Sequence, residues 1–222
     1  MTTLNLRKNM PRTMLAAAVF FLSNLSQAGL QEGVAAYEAG NVHLALKEFR
    51  SAAEKGDSDS QYNLALMYER GIGVGKDEKE ALIWYRKSAE QGNSNAQFNL
   101  GVMYENGHGC DVDFAQSHLW YRKAAVQGDP LAIGNLGMLY LRGQGVKEDK
   151  VAAVALLLRS ATMDSSPENF AKQNLAKSQG LTPEVVAEAQ KLVIEMSKAK
   201  DLLTPLDGYL KNTTTKAAPE LK

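Results

Sequence analysis

The feature that most constrains this sequence is an internal repeat with a period of 36 residues. The dipeptide Asn-Leu begins at Asn63, Asn99 and Asn135, and many other residue types recur at the same spacing. A regular period of this length is typical of stacked supersecondary units, each of which buries its apolar face against its neighbours. The sequence therefore predicts a repeat array, a class of protein that more often binds partners than carries out chemistry.

Each repeat has the pattern of two amphipathic helices. In both halves, apolar and small residues recur three and four positions apart, which places them on one face of a helix. Paired glycines separate the halves, and they favour a turn because glycine weakens a helix and readily adopts positive φ. These pairs are Gly71/Gly73, Gly107/Gly109 and Gly143/Gly145. We therefore expect each repeat to be a helix, a glycine turn and a second helix.

Small residues also recur within the first helix, at Ala65, Gly101 and Gly137. They stand where the two helices of a repeat should cross, and a close approach requires small side chains. We expect close helix packing at these positions.

The repeated motif resembles the Sel-1-like repeat (SLR), a relative of the tetratricopeptide repeat. Its first half matches A-x-x-x-L-G-x-x-Y-x-x-G-x-G-V-x-x-D, and its second half contains Ala, Trp-Tyr, Ala and a closing Gly at fixed offsets. Three copies are predicted, at residues 60–93, 96–129 and 132–164. The resemblance implies an all-α fold, a right-handed α/α superhelical solenoid of stacked helix-turn-helix repeats.

The segments that flank the three copies also have helical patterns. Residues 29–57 resemble a tetratricopeptide-like starting repeat, with a connector five residues shorter than in the other copies. Residues 165–200 are expected to form C-terminal capping helices. Thr182 should cap one of them with Pro183 at its first position. Residues 201–222 are expected to be a flexible tail.

The amino terminus has the three-part pattern of a secretory signal peptide. Basic residues precede an apolar run from Met14 to Leu22, and Ser26-Gln27-Ala28 offers a small-x-small cleavage site. The apolar run is short for a membrane-spanning helix. We therefore expect residues 1–28 to be removed and the chain to be periplasmic or secreted, without a stable membrane anchor. The alternative is an uncleaved amino-terminal anchor.

Charge and cysteine content exclude several classes of function. The whole chain has 25 basic and 25 acidic residues, and loss of the three basic residues in segment 1–28 would leave a formal charge of minus three. This balance gives no long-range attraction to nucleic acid. Cys110 is the only cysteine, so an internal disulfide is excluded. Its position matches Val74 and Val146, which favours a packing role over a nucleophile.

The candidate binding residues lie on the first helix of each repeat, which lines the concave groove if the tetratricopeptide plan holds. These residues are Tyr62, Asn63, Leu66, Phe98, Asn99, Val102, Asn135 and Met138. An asparagine amide both donates and accepts hydrogen bonds, so it can pair with an extended peptide backbone. In related tetratricopeptide proteins, an asparagine at the matching position has this role. The alternative is that each asparagine braces its repeat against the next one.

Other prominent side chains are interpreted as structural. The aromatic residues of the second helices, Trp84, Tyr85, Trp120 and Tyr121, are expected in the core. His43, His108 and His118 lack metal-ligand partners at useful spacing, and His108 and His118 are expected to be solvated. The sequence thus predicts no metal, no cofactor and no catalytic residues.

Two classes of function remain open. The first is an exported, non-enzymatic scaffold that binds a peptide or partner protein in the groove. The alternative is a cell-wall-related hydrolase or β-lactam-binding protein of the secreted SLR type. Those relatives have paired cysteines in each repeat, which this chain lacks, and the sequence contains no Ser-x-x-Lys motif. Neither the partner nor the oligomeric state follows from the sequence.

Overall fold

The structure is a computed structural model that describes residues 28–217 of the 222. This part of the chain forms eleven helices and contains no strand. The prediction of an all-α fold built from helix-turn-helix repeats is therefore confirmed. The predicted signal peptide lies outside the described residues, except for its last residue.

The chain divides after Asn93 into two compact units. The first unit contains α1 to α4, and the second contains α5 to α11. The helices are α1 (28–38), α2 (Val42–Glu54), α3 (Ser58–Arg70), α4 (Glu78–Glu90), α5 (Ser94–Asn106), α6 (Phe114–Val126), α7 (Pro130–Arg142), α8 (Lys150–Met163), α9 (Ala171–Lys177), α10 (Pro183–Lys198) and α11 (Leu203–Ala217).

Helix ends follow from residues that the repeat supplies. The Asp77 carboxylate accepts from the backbone N–H groups of Lys79 and Glu80 and so caps α4. Gly71 ends α3 in the left-handed region, at φ 69°. The predicted cap of α10 is also confirmed, because Thr182 accepts from the N–H of Val185.

The core of the first unit lies between α2, α3 and the inner face of α1. Phe49 and Leu64 are buried at its centre, with Met67 and several alanines around them. A Cβ on Gly33 would lie 2.5 Å from the Phe49 ring, so only glycine allows α1 to approach this closely.

The second unit shows the predicted close crossing of helices within a repeat. A Cβ on Gly101 would lie 2.6 Å from the Tyr121 ring, and a Cβ on Gly137 would lie 3.1 Å from Leu156. Tyr121 and Trp120 are buried, as is Tyr85 in the first unit, while Trp84 packs at the edge of its core. The core role predicted for these aromatic residues is confirmed.

Polar side chains tie the two ends of each repeat together. In the first unit, the Ser88 hydroxyl donates to the carbonyl of Ser58 at 2.7 Å. In the second, the Ser160 hydroxyl donates to the carbonyl of Pro130 at 2.6 Å. In each case a serine near the end of the second helix donates to a carbonyl in the first turn of the first helix. The bond therefore joins the two helices of the antiparallel pair at the end opposite the glycine turn.

The prediction that residues 201–222 form a flexible tail is wrong for most of that segment, since α11 occupies Leu203–Ala217. Leu203 and Leu206 are buried in the core of the second unit, and Leu202 is 8% exposed. The segment is rich in polar residues, but its leucines are spaced three and four apart. Burial of this leucine face stabilises a helix that composition alone did not indicate.

Candidate functional site

The eight candidate binding residues lie on the first helices, and each is partly exposed. Tyr62, Asn63 and Leu66 belong to α3 in the first unit, and the other five belong to α5 and α7 in the second. Tyr62 packs on Tyr85, with ring centroids 5.8 Å apart, and Phe98 packs on Tyr121 at 5.9 Å. Four of the eight line cavities, two in each unit.

The cavity in the first unit has a volume of about 450 Å³ and contains Asn63 and Leu66 in its wall. Val34 and Tyr37 of α1 also line it and are 38% and 45% exposed. The complete lining is Val34, Tyr37, Glu38, Phe49, Asn63, Leu66, Met67, Arg70 and Ile72. It is an apolar recess with one amide in its wall and one acidic and one basic residue among its lining. The contribution of α1 was not predicted.

In the second unit, a buried tyrosine brace stands at the corresponding place. The Tyr121 hydroxyl donates to the Glu105 carboxylate at 2.7 Å and accepts from the Asn135 amide at 3.0 Å. Burial raises the pKa of Tyr121, and the Glu105 carboxylate raises it further, so the phenol stays protonated and remains a donor. Asn135 therefore braces α7 against α6, as one of the two alternatives proposed.

The starting repeat lacks this brace. Phe49 precedes Asn63 by 14 residues, as Tyr121 precedes Asn135, but it has no hydroxyl. Gly33 packs against the Phe49 ring as Gly101 packs against the Tyr121 ring. Tyr37 follows Gly33 by four residues, as Glu105 follows Gly101, so Tyr37 occupies the position that corresponds to Glu105. Phe49 and Tyr37 thus replace a hydrogen-bonded Tyr-Glu pair and leave an apolar cavity.

The consequence for Asn63 is that its amide has no hydrogen-bond partner within residues 28–217. The side chain is partly exposed at the cavity wall, with both a donor and an acceptor available. The repeated asparagines are therefore not equivalent. The sequence signal for this difference was Phe49 at the tyrosine position.

The cavity in the second unit has a volume of about 350 Å³ and is lined by Phe98 and Asn135. Its opposite wall comes from the segment before α9, where Phe170 is 57% exposed. The Asn169 amide holds this segment by donating to the carbonyls of Ser160 and Asp164, at 3.1 and 2.9 Å. This cavity therefore offers the ring of Phe98 on one side and the ring of Phe170 on the opposite, fixed wall, and its amide is already engaged.

The prediction that His118 is solvated is wrong. It lies edge-on to Tyr140 with ring centroids 5.7 Å apart, and its Nε2 is 3.4 Å from the Tyr140 hydroxyl. Burial, with a smaller contribution from the Arg122 guanidinium, lowers the pKa of His118 to about 4. The His118 imidazole is therefore neutral near pH 7.

Among residues 28–217, no group of three or more His, Cys, Asp or Glu side chains is placed to hold a metal ion. None of the helices in that range has the combination of length and hydropathy that a bilayer span requires.

Comparison with known proteins places this geometry in context. The family model described as Sel1 repeat matches residues 58–93, 94–129 and 130–165. A search of curated proteins finds no match. Among solved structures, a Sel1 repeat protein from Oxalobacter formigenes is 30% identical, with 80% of each chain covered and a TM-score of 0.62.

Two further structures are similar at lower TM-scores. One is a protective antigen of uropathogenic Escherichia coli that displays an SLR fold; it is 29% identical, covers 89% of this chain and 50% of its own, and has a TM-score of 0.47. The other is Helicobacter pylori cysteine rich protein B, which is 18% identical, covers 58% of this chain and 98% of its own, and has a TM-score of 0.46.

Proposed function

Because this chain belongs to the Sel1 repeat family, whose members generally mediate protein–protein interaction, we propose that it is an exported, non-enzymatic scaffold that binds a peptide segment of a partner protein. The first helix of each repeat supplies the binding residues. The principal contact is the cavity of the first unit, between α1 and α3.

The observation that carries this proposal is the pairing of an apolar cavity with the unengaged Asn63 amide. A cavity of about 450 Å³ accommodates one large apolar side chain with room to spare. The amide donor and acceptor complement the C=O and N–H of a peptide unit. An extended segment can therefore insert a side chain between Val34 and Leu66 while its backbone pairs with Asn63.

The second unit is proposed to add apolar contact. The Asn135 amide already donates to Tyr121, so the cavity of the second unit offers a bound peptide chiefly the rings of Phe98 and Phe170. Asn99, Val102 and Met138 are partly exposed on the same two first helices and extend this surface. Aromatic side chains at such sites commonly dominate binding energy.

The decisive experiment selects a peptide from a displayed random library on the mature chain, residues 29–222, and measures its affinity for variants. Asn63→Ala should weaken binding roughly tenfold, because it removes one or two backbone hydrogen bonds. Phe49→Tyr should weaken it similarly, because the new hydroxyl engages Asn63 as Tyr121 engages Asn135.

Tyr140→Phe is the matched control, since it removes a hydroxyl from a buried tyrosine of the second unit that lines neither cavity. The selected peptide should bind this variant as it binds the unmodified chain. Equal affinity for all four proteins would contradict the proposed site, and failure to select any peptide would contradict peptide binding itself.

The non-enzymatic part of the proposal has its own test. We expect the purified mature protein to leave nitrocefin intact, since no residue is assigned a catalytic role. Turnover that coelutes with the protein and scales with its concentration would instead support the hydrolase alternative.

A further inference from the structure

The cavity of the second unit lies where the repeat lacks one aromatic ring. Tyr62, Phe98, Gly134 and Phe170 follow one another at intervals of 36 residues. The first two pack on the tyrosine in the second helix of their own repeat, whereas the third has no side chain. Phe98, Gly134 and Phe170 all line the cavity. The space beside the glycine therefore has the aromatic rings of the two flanking positions in its walls.

The wall that carries Phe170 is held by hydrogen bonds on both sides of the ring. The Asn169 amide, which donates to two carbonyls of the preceding segment, also accepts from the N–H of Ala171 at 3.0 Å. The Asp164 carboxylate accepts from the N–H of Ser166 at 2.8 Å. Phe170 is nevertheless 57% exposed. An apolar ring on a fixed backbone is a preorganised surface for a ligand.

The polar groups that remain available in this cavity include two acceptors and no cation. The Tyr121 hydroxyl gives its proton to Glu105, so it accepts from the Asn135 amide and leaves Oδ1 of that amide without a partner among residues 28–217. The Glu168 carboxylate is exposed and makes no hydrogen bond or ion pair within the same range. Of the described lining residues, only Glu168 has a formal charge, and Asn174 adds an amide that can accept or donate.

We infer that the cavity of the second unit is a subsite for an arginine side chain, whose guanidinium lies between the rings of Phe98 and Phe170 and donates to the Glu168 carboxylate. The inference rests on the proposed function only in assigning this side chain to a bound peptide. A volume of about 350 Å³ lies within the range of sites for small ligands.

The chemistry of the cavity favours arginine over other side chains. A guanidinium is planar and stacks on aromatic faces, and it has five N–H donors and no acceptor. It therefore matches both the rings and the acceptors of Glu168 and Asn135. A lysine ammonium is compact and cannot stack as a plane. An aromatic side chain would fill the space but make no use of the carboxylate.

Titration with a blocked amino acid tests the subsite directly. The probe is Nα-acetyl-arginine amide, added to the mature chain, residues 29–222, and followed by NMR chemical shifts of the backbone amides. The shifts should centre on Phe98, Asn135 and Phe170. Nα-acetyl-citrulline amide has nearly the same shape but no charge, and it should bind several-fold more weakly.

Three outcomes of this titration would overturn the inference. The first is equal affinity for the arginine and citrulline probes, and the second is tighter binding of Nα-acetyl-phenylalanine amide. The third is that the arginine probe leaves the amides around the cavity unshifted.

Variants assign the affinity to the carboxylate and to the ring. Glu168→Gln should weaken binding of the arginine probe several-fold and remove its advantage over citrulline. Phe170→Leu should also weaken it several-fold, whereas Phe170→Tyr keeps the aromatic face and should bind as the unmodified chain does. Glu188→Gln is the matched control, since it removes a carboxylate from another cavity of the same unit. Equal affinities of Glu168→Gln and Glu188→Gln, or of the two Phe170 variants, would overturn the inference.

The displayed library separates this inference from the proposed function. Selected peptides should contain an arginine, and its replacement by citrulline should weaken binding to the unmodified chain but not to Glu168→Gln. Peptides that depend on Asn63 and contain no arginine would overturn the arginine subsite alone. Binding of the arginine probe without selection of any peptide would overturn peptide binding alone.

Discussion

A residue that recurs at a fixed period does not have a fixed role. Asn63 and Asn135 occupy the same phase, yet Asn135 donates to a buried phenol whereas Asn63 faces a cavity. The difference arises from the residue 14 positions earlier, which is Tyr121 in one case and Phe49 in the other. The bracing role therefore holds for Asn135 but not for Asn63, whose binding role is the proposal made above.

The packing role of Gly101 predicts a loss of stability when a single methyl group is added. In Gly101→Ala the new Cβ would lie 2.6 Å from the Tyr121 ring, and that ring is held by Glu105 and Asn135. We expect the free energy of unfolding to fall by roughly 1 to 3 kcal/mol through overpacking. Urea denaturation followed by circular dichroism measures the change.

Gly208→Ala supplies the matched control on α11. No atom lies within 4 Å of the position that its Cβ would take. The same substitution should raise stability there by up to about 1 kcal/mol, since alanine favours a helix over glycine. A similar response from both variants would mean that helix propensity, rather than the Tyr121 contact, controls the effect at Gly101.

At the scale of elements, the periodic pattern predicted the helix pairs better than the ends of the array. Gly101 and Gly137 were placed correctly because each copy repeats the same crossing. The α1 wall of the cavity was missed, since the shorter connector shifts α1 out of phase and hides the match between Tyr37 and Glu105. The α11 helix was missed because its leucine face docks on helices that lie far away in sequence, a contact that no local pattern records.

The glycine connectors make a separate prediction about element boundaries. Gly143 ends α7 at φ 62°, and its N–H donates to the carbonyl of Leu139. Gly143→Ala forces a side chain into the left-handed region and should cost about 1 to 2 kcal/mol. Thermal and urea denaturation measure this loss.

Gly75→Ala tests whether the connector is sensitive to any substitution. Gly75 does not have positive φ, and nothing lies within 4 Å of its added Cβ. Its stability should stay within about 0.5 kcal/mol of the unmodified chain. If Gly75→Ala lost as much stability as Gly143→Ala, the positive φ of Gly143 could not be the cause of the loss at that position.

For the whole molecule, stability depends on repetition rather than on a single core. Stacked repeats bury their faces on sequence neighbours, so a chain with one cysteine requires no internal cross-link. Within each unit the first helices are partly exposed, and a departure from the repeat, such as Phe49, changes the cavity beside them. The period could be read from sequence, whereas the consequences of each departure depended on three-dimensional neighbours.

The proposed export makes a prediction for the whole chain. Cleavage after Ala28 should release a mature protein that begins at Gly29, and α1 is already helical over 28–38, so processing leaves the first unit intact. Intact mass and amino-terminal sequencing of the periplasmic and extracellular fractions identify the cleavage site. Ala28→Tyr should block processing because a bulky residue replaces the small one at the cleavage position, whereas Glu38→Gln should be processed normally. A chain that keeps residues 1–28 and remains in the cytosol would contradict export, and one that keeps them in the membrane fraction would support an amino-terminal anchor instead.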